Sequence, residues 1–508
     1  MDQPALLPPN LEELIPEDHL VRVVNRVIDE LDLEPILKEY KGGGTSSYHP
    51  RMMLKVLVYA YTQRVNSSRQ IAKGLRENVN FMWISGNNRP DFRTINRFRS
   101  SVMKEGVEVV FSEVVQYLIE GGYVKLENYF LDGTKIEANA NKYSWVWAKS
   151  TAKYKARLQE KIQELLQNIE AENDAEQEAY GDKDLEEMGG GNKGGGGIDS
   201  EELKRRIERL NERLAEKMKD KRTAKAMRTL QEDYLPRQEK YEEQEKLLAG
   251  RNSYSKTDPD ATFMRMKDDH MLNGQLKPGY NVQIGTENQF VVGFSIHQKT
   301  NDMNLLIPHL NRVQERLGHL PRTVIADAGY GSEENYAYLE QAGVEGYVKY
   351  PLFNKQQKRS WRKQRFRAEN WEYVPARDEY ICPHQQRVTF QCNRVRTTDN
   401  GYRISFRVYE CSSCAACPLK PQCTKAVGNR RIEINPTLIH YQKQAREKLV
   451  SDQGRKLRAQ RGVEPESVFG RIKQDWGFRR FTLRGMDKVK IEWGLYCIAH
   501  DIAKLAVQ

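Results

Sequence analysis

Three acidic side chains stand where this sequence could use them for chemistry. Asp132 closes the apolar run Tyr129-Phe130-Leu131, and Asp327 closes Thr323-Val324-Ile325-Ala326. The third, Glu466, lies seven residues before Lys473. On a helix that spacing sets the two on one face, two turns apart, so Glu466 can ligate a cation while Lys473 meets a phosphate. Glu464 competes for the same role, but at about 100° per residue it points roughly opposite to Glu466. Pro465 suits the first turn of a helix and leaves Glu464 near its cap, so Glu466 is preferred. Carboxylates that share divalent cations activate water and stabilise the leaving oxygen of an in-line displacement at phosphorus. Oxygen ligands select Mg2+ or Mn2+. Taken singly, an Asp after an apolar strand is more often a turn or cap residue. The three together, in this order, are harder to dismiss.

A second constellation is built from sulfur. Cys411-x2-Cys414-x2-Cys417-x5-Cys423, with Cys382 upstream and Cys392 between, crowds one segment, while Cys497 stands apart. In a long chain this clustering reads as a metal site rather than a disulfide framework. Four thiolates from Cys411, Cys414, Cys417 and Cys423 suit structural Zn2+. Iron–sulfur ligation fits less well because the fourth spacing is wrong, and packed free thiols are the plain alternative. Just upstream, Lys355, Lys358, Arg359, Arg362, Lys363, Arg365 and Arg367 interleave with Trp361 and Phe366, a composition that can grip phosphates and stack on a base. Trp476, Phe478, Arg479, Arg480 and Arg484 form a second such patch. A solvated basic loop is the plain reading of either.

These groups need elements to position them. The first 120 residues read as helical. Pro50 opens a helix, Ser67 or Ser68 caps another, and a third starts near Asp91 after the turn-rich Ser85–Pro90 stretch. On that third helix Phe92, Ile95, Phe98 and Val102 form an apolar stripe, while Arg93, Arg97, Ser100 and Lys104 share another face. Two helices joined by a turn, the second bearing arginines, can enter a DNA major groove; a helical bundle with a basic surface shows the same pattern. From about residue 121 strands take over: Tyr129 to Ile136, then 279–284 and 289–296 separated by a turn at Gly285-Thr286-Glu287-Asn288. A helix over 303–317, the strand ending at Asp327, a helix over 333–341 and a strand over 344–350 follow. Between the first strand and the hairpin, residues 150–250 switch to charged helix. Leu158, Ile162, Leu165 and Ile169 make one seam, and Leu203, Ile207, Leu210 and Leu214 another with coiled-coil steps. The glycine-rich stretch 189–197 connects them. With the insertions removed, the order is that of an α/β, ribonuclease-H-like mixed sheet, in which the strands ending at Asp132 and Asp327 lie side by side. The organisation expected is a helical N-terminal DNA-binding domain over 1–120 and a catalytic domain over 121–508, interrupted by a coiled-coil hairpin insertion (150–250) and a basic Cys-rich insertion (351–436). Asp258 and Asp260, in Thr257-Asp258-Pro259-Asp260, either support the site or form an Asx turn, and His270 and Lys277 are weaker candidates for DNA contact.

Several phrases resemble one family. Tyr48-His49-Pro50, Ser67-Ser68-Arg69 and Thr94-Ile95-Asn96-Arg97-Phe98-Arg99 are similar to the leader domain of IS1182-group insertion-sequence transposases, within the IS4/IS5-like DDE transposases. Leu131-Asp132-Gly133-Thr134-Lys135, Ser255 to Ala261, Ala326-Asp327-Ala328-Gly329-Tyr330-Gly331-Ser332, Tyr409-Glu410-Cys411 through Lys425, and Val468-Phe469-Gly470 through Phe481 resemble its catalytic core. The resemblance implies that Asp132, Asp327 and Glu466 are catalytic metal ligands, and Lys473 stands where the group has its Lys; with Lys473, the basic patterns on the third helix and after the last acid make Arg93, Arg97, Arg479 and Arg480 the residues expected to meet DNA. It also implies a reaction: water attack at each end of the element frees a 3′-OH, which then joins target DNA. One departure stands out. The group places an Arg and a Tyr at fixed distances before the catalytic Glu; here Arg461 is one residue too far, and no Tyr precedes it suitably.

The chain carries a net charge of +11, which favours a polyanionic partner by counterion release, although charge alone is also met in merely soluble proteins. Double-stranded DNA, at transposon ends and targets, is the expected partner, with a homodimer to handle two ends together. No apolar run is long enough to span a bilayer, and the N-terminal residues lack a leader's pattern, so a cytoplasmic, nucleoid-associated protein is expected. Two other readings keep the basic patches: a catalytically idle DNA-binding regulator, which does not need all three acids, and a hydrolytic nuclease of the same fold, which does not join strands.

Overall fold

A computed structural model of the chain describes residues 10–38, 48–180, 198–214, 221–266 and 274–507. The expected glycine connector at 189–197, the side chain of Leu214 and His270 fall outside these described residues. The chain divides into two compact units, Met1–Ile136 with Tyr280–Gln508, and Glu137–Gly279.

The first unit opens with helices. Leu20–Glu30 (α1), Pro50–Thr62 (α2), Ser68–Glu77 (α3), Phe92–Ser100 (α4) and Val102–Glu120 (α5) are the main ones. Pro50 takes the first turn of α2 as expected, and Asp91 caps α4 by accepting from Thr94 N at 2.7 Å. The stripe continuing to Val102 breaks, however: Ser101 ends α4 and begins α5. Ile95 and Phe98 are buried as expected, but Phe92 is exposed, and Arg99 is buried instead, donating to Asn66 O at 2.7 Å and Ser68 Oγ at 3.2 Å. An arginine can occupy that interior position because polar groups there accept its hydrogens.

The sheet follows. Five of its six strands are Asn128–Glu137 (β1), Leu276–Glu287 (β2), Phe290–His297 (β3), Thr323–Ala326 (β4) and Glu345–Val348 (β5), and the sixth, Thr262–Arg265, pairs with the start of β2. β2 lies against β1 with β3 beyond it, and β4 and β5 continue on the other side. β2 and β3 are antiparallel, whereas β1–β4 and β4–β5 are parallel. Helices Leu306–Leu317 (α6) and Glu333–Gln341 (α7) flank β4 in sequence. The architecture is mixed α/β, with a mixed sheet and a helical N-terminal part. The hairpin turn falls later than expected, at Asn288 and Gln289, both with positive φ, as a two-residue hairpin loop of this kind requires. Gly285 is instead part of a register shift between Gly285 and Thr286. A Cβ there would lie 1.7 Å from Tyr129 Cζ, so the glycine makes room for the Tyr129 ring.

A smaller five-stranded antiparallel sheet follows: Glu372–Val374 (β6), Glu379–Ile381 (β7), Arg387–Thr397 (β8), Arg403–Cys411 (β9) and Arg431–Ile434 (β10), joined in that order. Helices Pro436–Val450 (α8), Asp452–Arg461 (α9), Glu464–Gly470 (α10) and Met486–Leu505 (α11) close the chain. In α11 every residue from Ile491 to Ala503 is buried, because it packs on α2 and α5 along one side and β3 along another. Such all-round burial marks a central helix.

In the second unit the helices are Ala148–Tyr180, Ser200–Leu214, Lys221–Thr229 and Leu235–Leu248. Leu158, Ile162, Leu166, Ile169, Leu203, Ile207, Met227 and Leu230 share one core. The seam runs through Leu166 rather than the expected Leu165, which is only partly buried. The helix Leu235–Leu248 packs on both Ala148–Tyr180 and Ser200–Leu214, so the insertion is more than the expected two-helix hairpin. The extra partner widens the apolar face each helix must present. Asp258 and Asp260 sit in a turn where Ala261 N donates to Asp258 O at 3.0 Å. Lys277 pairs with Glu137 at 3.1 Å.

Candidate active site

Strand pairing brings the two aspartates together. β1 and β4 run parallel with Leu131 opposite Ala326, so the next step of the register sets Asp132 opposite Asp327. Asp132 is buried; Asp327 begins a tight turn and accepts from Gly329 N at 2.8 Å. The neighbouring motif residues are fitted around the pair. A Cβ on Gly133 would come 2.2 Å from Gln283 Nε2. That amide donates to Asn281 Oδ1 at 2.8 Å and Asp302 Oδ1 at 3.1 Å, and Gln283 Oε1 accepts from the Tyr330 hydroxyl. Burial, then the charges of Asp302, Asp132 and Asp327, push the Tyr330 hydroxyl well above its ordinary value, so it stays protonated and donates.

One cation that sequence reasoning doubted reaches the pair, and a second that it missed lies near Asp327. Arg461 Nη2 lies 3.0 Å from Asp132 Oδ1 and 3.5 Å from Asp327 Oδ2. The backbone N–H of Lys349, just after β5, donates to Ala326 O at 3.3 Å. Burial and then Arg461 and Arg458 lower its ammonium, against the opposing pull of Asp327 and Glu466. Neither cation carries a local signal, because each arrives from an element distant in sequence.

The third acid is placed differently. Glu464 is turned to the hairpin, accepting from Gln289 N at 2.7 Å. The same turn region holds Glu287, whose carboxylate accepts from the N–H groups of residues 125 to 128 where β1 begins. Glu464 therefore serves the end of β1 opposite Asp132, and burial raises its carboxyl. Glu466 is exposed on the other face of α10, near enough to act electrostatically on Lys349. Among the described residues no three His, Cys, Asp or Glu side chains are grouped closely enough to hold a metal ion. The expected helical repeat to Lys473 is also broken by a π turn over Arg471–Asp475. Lys473 is buried and donates to Thr134 Oγ1 at 2.7 Å, two residues beyond Asp132 on β1, rather than facing outward.

The remaining candidates divide between surface and core. Arg93 and Arg97 are exposed and line an open groove with Arg69, Asn96 and Ser67, to which Thr482 and Leu483 also contribute. Phe92 lies beneath the guanidinium groups of Arg69 and Arg93, 5.2 and 5.7 Å from its ring centre. Arg479 and Arg480 are exposed, but Trp361 and Phe478 are buried and present no face for a base. Cys382, Cys411 and Cys414 are buried in the core of the smaller sheet with Trp371, Val388, Tyr409 and Ile432, and Cys423 packs against them. Cys417 lines the same small cavity. Burial pushes the Cys411 thiol up to about 12, and Arg430 Nη1 donates to Cys423 Sγ at 3.2 Å.

Residues 381–506 match the family described as Transposase DDE domain, and residues 9–101 match Transposase domain (DUF772). The chain carries the domain pair typical of IS1182-family transposases. Within the chain the DDE match takes in Glu464, Glu466, Lys473 and the cysteines from Cys382 to Cys423, while Asp132 and Asp327 lie upstream of it. Neither a curated relative nor a solved structure matches the chain. No helix among the described residues is long and apolar enough to cross a membrane.

Proposed function

We propose that this transposase cuts the ends of its own element and joins the freed 3′-OH groups to target DNA, using a divalent cation held by Asp132 and Asp327. The observation that carries the reading is their convergence. Two carboxylates on adjacent parallel strands approach one cationic nitrogen, at 3.0 and 3.5 Å, so their oxygens are already directed at a shared positive charge. That donor set, all oxygen, fits Mg2+ or Mn2+. When bound, the ion would supply charge stabilisation at the scissile phosphate and acidify water. The chain's own residues supply position: Gln283 and Tyr330 buttress the turn after Asp327, and the fold we assign is ribonuclease-H-like. Glu466 is the proposed third acid, since Glu464 is engaged at the far end of β1. Lys473, through Thr134, steadies the strand that carries Asp132.

Exposed Arg93 and Arg97 on α4, with Arg479 and Arg480, would meet DNA phosphates, and a homodimer would hold two ends. The cysteine cluster offers thiols suited to structural zinc, although they are not grouped as a ligand set in the described structure. Metal analysis of purified protein tests this: about one zinc per chain, lost in Cys411→Ser, is expected, and metal-free, fully folded protein would rule it out.

The decisive assay is Mg2+-dependent cleavage of end DNA. Asp132→Asn and Asp327→Asn should each abolish cleavage while gel-shift binding is retained. Glu466→Gln should do the same and Glu464→Gln should not. Full cleavage by either Asp variant would overturn the reading.

A further inference from the structure

Asp132 and Asp327 are held by an arginine whose own hydrogen bonding is incomplete. Arg461 ends α9, and its side chain is only 11% exposed. Its Nε is buried and, among the described residues, has no hydrogen-bond partner. A buried donor left unsatisfied is costly. The ion pairs that anchor this guanidinium run from Nη2 to the two carboxylates. Two carboxylates side by side repel, and without a counter-charge one of them would be driven to bind a proton or turn away. The guanidinium offsets that repulsion and keeps both oxygens aimed at one point. A divalent cation bridging the same oxygens would meet a positive charge already in place.

We propose that Arg461 is the positioning residue that keeps Asp132 and Asp327 converged in the metal-free protein, and that a divalent cation displaces it from them. The inference rests on the reading of the aspartate pair as a metal site. Arg461 and the cation compete for one pair of carboxylates, so each weakens the hold of the other by the same factor. The arrangement preserves the site's shape before loading, and it releases a guanidinium beside the pair once the cation arrives. A released guanidinium there is suited to a DNA phosphate.

The test counts free Mn2+ by electron paramagnetic resonance while it is titrated into the full chain. Site-specific binding is the part lost when Asp132→Asn and Asp327→Asn are combined. Arg461→Gln should bind Mn2+ at that site at least about fivefold more tightly than wild type, and Arg461→Lys, which keeps the charge, should fall between. Aspartate-dependent binding that is unchanged or weaker in Arg461→Gln overturns the proposal and leaves the metal reading standing. No aspartate-dependent binding in either protein overturns both. If Arg461→Gln fails to fold, the wild-type protein supplies the second measurement: phenylglyoxal labelling of Arg461, read by peptide mass. Labelling should be slow without metal and several-fold faster with Mg2+; equal rates overturn the proposal.

Discussion

Gly285 and Gly293 show how closely single residues are fitted beneath the site. A Cβ on Gly293 would come 2.3 Å from the Tyr129 hydroxyl, and one on Gly285 1.7 Å from the same ring. The Tyr129 ring therefore lies across both strands, and its hydroxyl bonds to His309 Nε2 at 2.6 Å. Gly285→Ala should destabilise the protein by about 1–3 kcal/mol or more through overpacking, measured as a lowered urea midpoint; an unchanged midpoint would contradict this packing. At this scale the sequence was legible where a residue's role is local. Asp132 and Asp327 each follow a short apolar run that reads as a buried strand, and Asp91 sits where a helix needs a cap. Arg461 and Lys349 were not legible, because their partners are set by tertiary approach. Trp361 looked available to stack on a base; burial under Arg367, whose guanidinium carbon lies 4.0 Å from its ring centre, removes it.

Elements carried a different share of the information. The order of strands and helices through 128–348 follows from periodicity, since alternation and 3.6-residue repeats survive in short windows. Boundaries that depend on a distant partner did not. The hairpin turn moved to Asn288-Gln289 because Gly285 was needed for Tyr129, and the face shared by Glu466 and Lys473 was lost at a π turn. Helix α4 keeps its exposed arginines even though it ends at Ser100, so its expected role is testable. Arg93→Ala and Arg97→Ala should each weaken binding of end DNA and lower the dependence of log K on log salt by about one. An unchanged salt slope in both would remove α4 from the DNA interface.

Across the first unit, the helices before residue 120 and the sheet share α11 as a common core element, which neither part's own pattern announces. Its interior also titrates. Burial, then the charges of Arg312 and Lys299, lower the His297 imidazole from 6.5 to about 4, where it bonds to Ser295 Oγ at 2.7 Å. The unfolded chain therefore takes up this proton first as pH falls. The stability His297 contributes is complete above pH 6.5 and is lost progressively toward pH 4. His297→Asn should lose less stability than wild type over that interval, compared by denaturant midpoints; parallel losses would contradict the assignment. We propose above that the paired aspartates hold a divalent cation. Anomalous X-ray scattering from crystals soaked in Mn2+ tests it most directly. A manganese peak is expected between the carboxylates of Asp132 and Asp327, with the Arg461 guanidinium turned away. An empty site with Arg461 still bridging both carboxylates at saturating Mn2+ would contradict it.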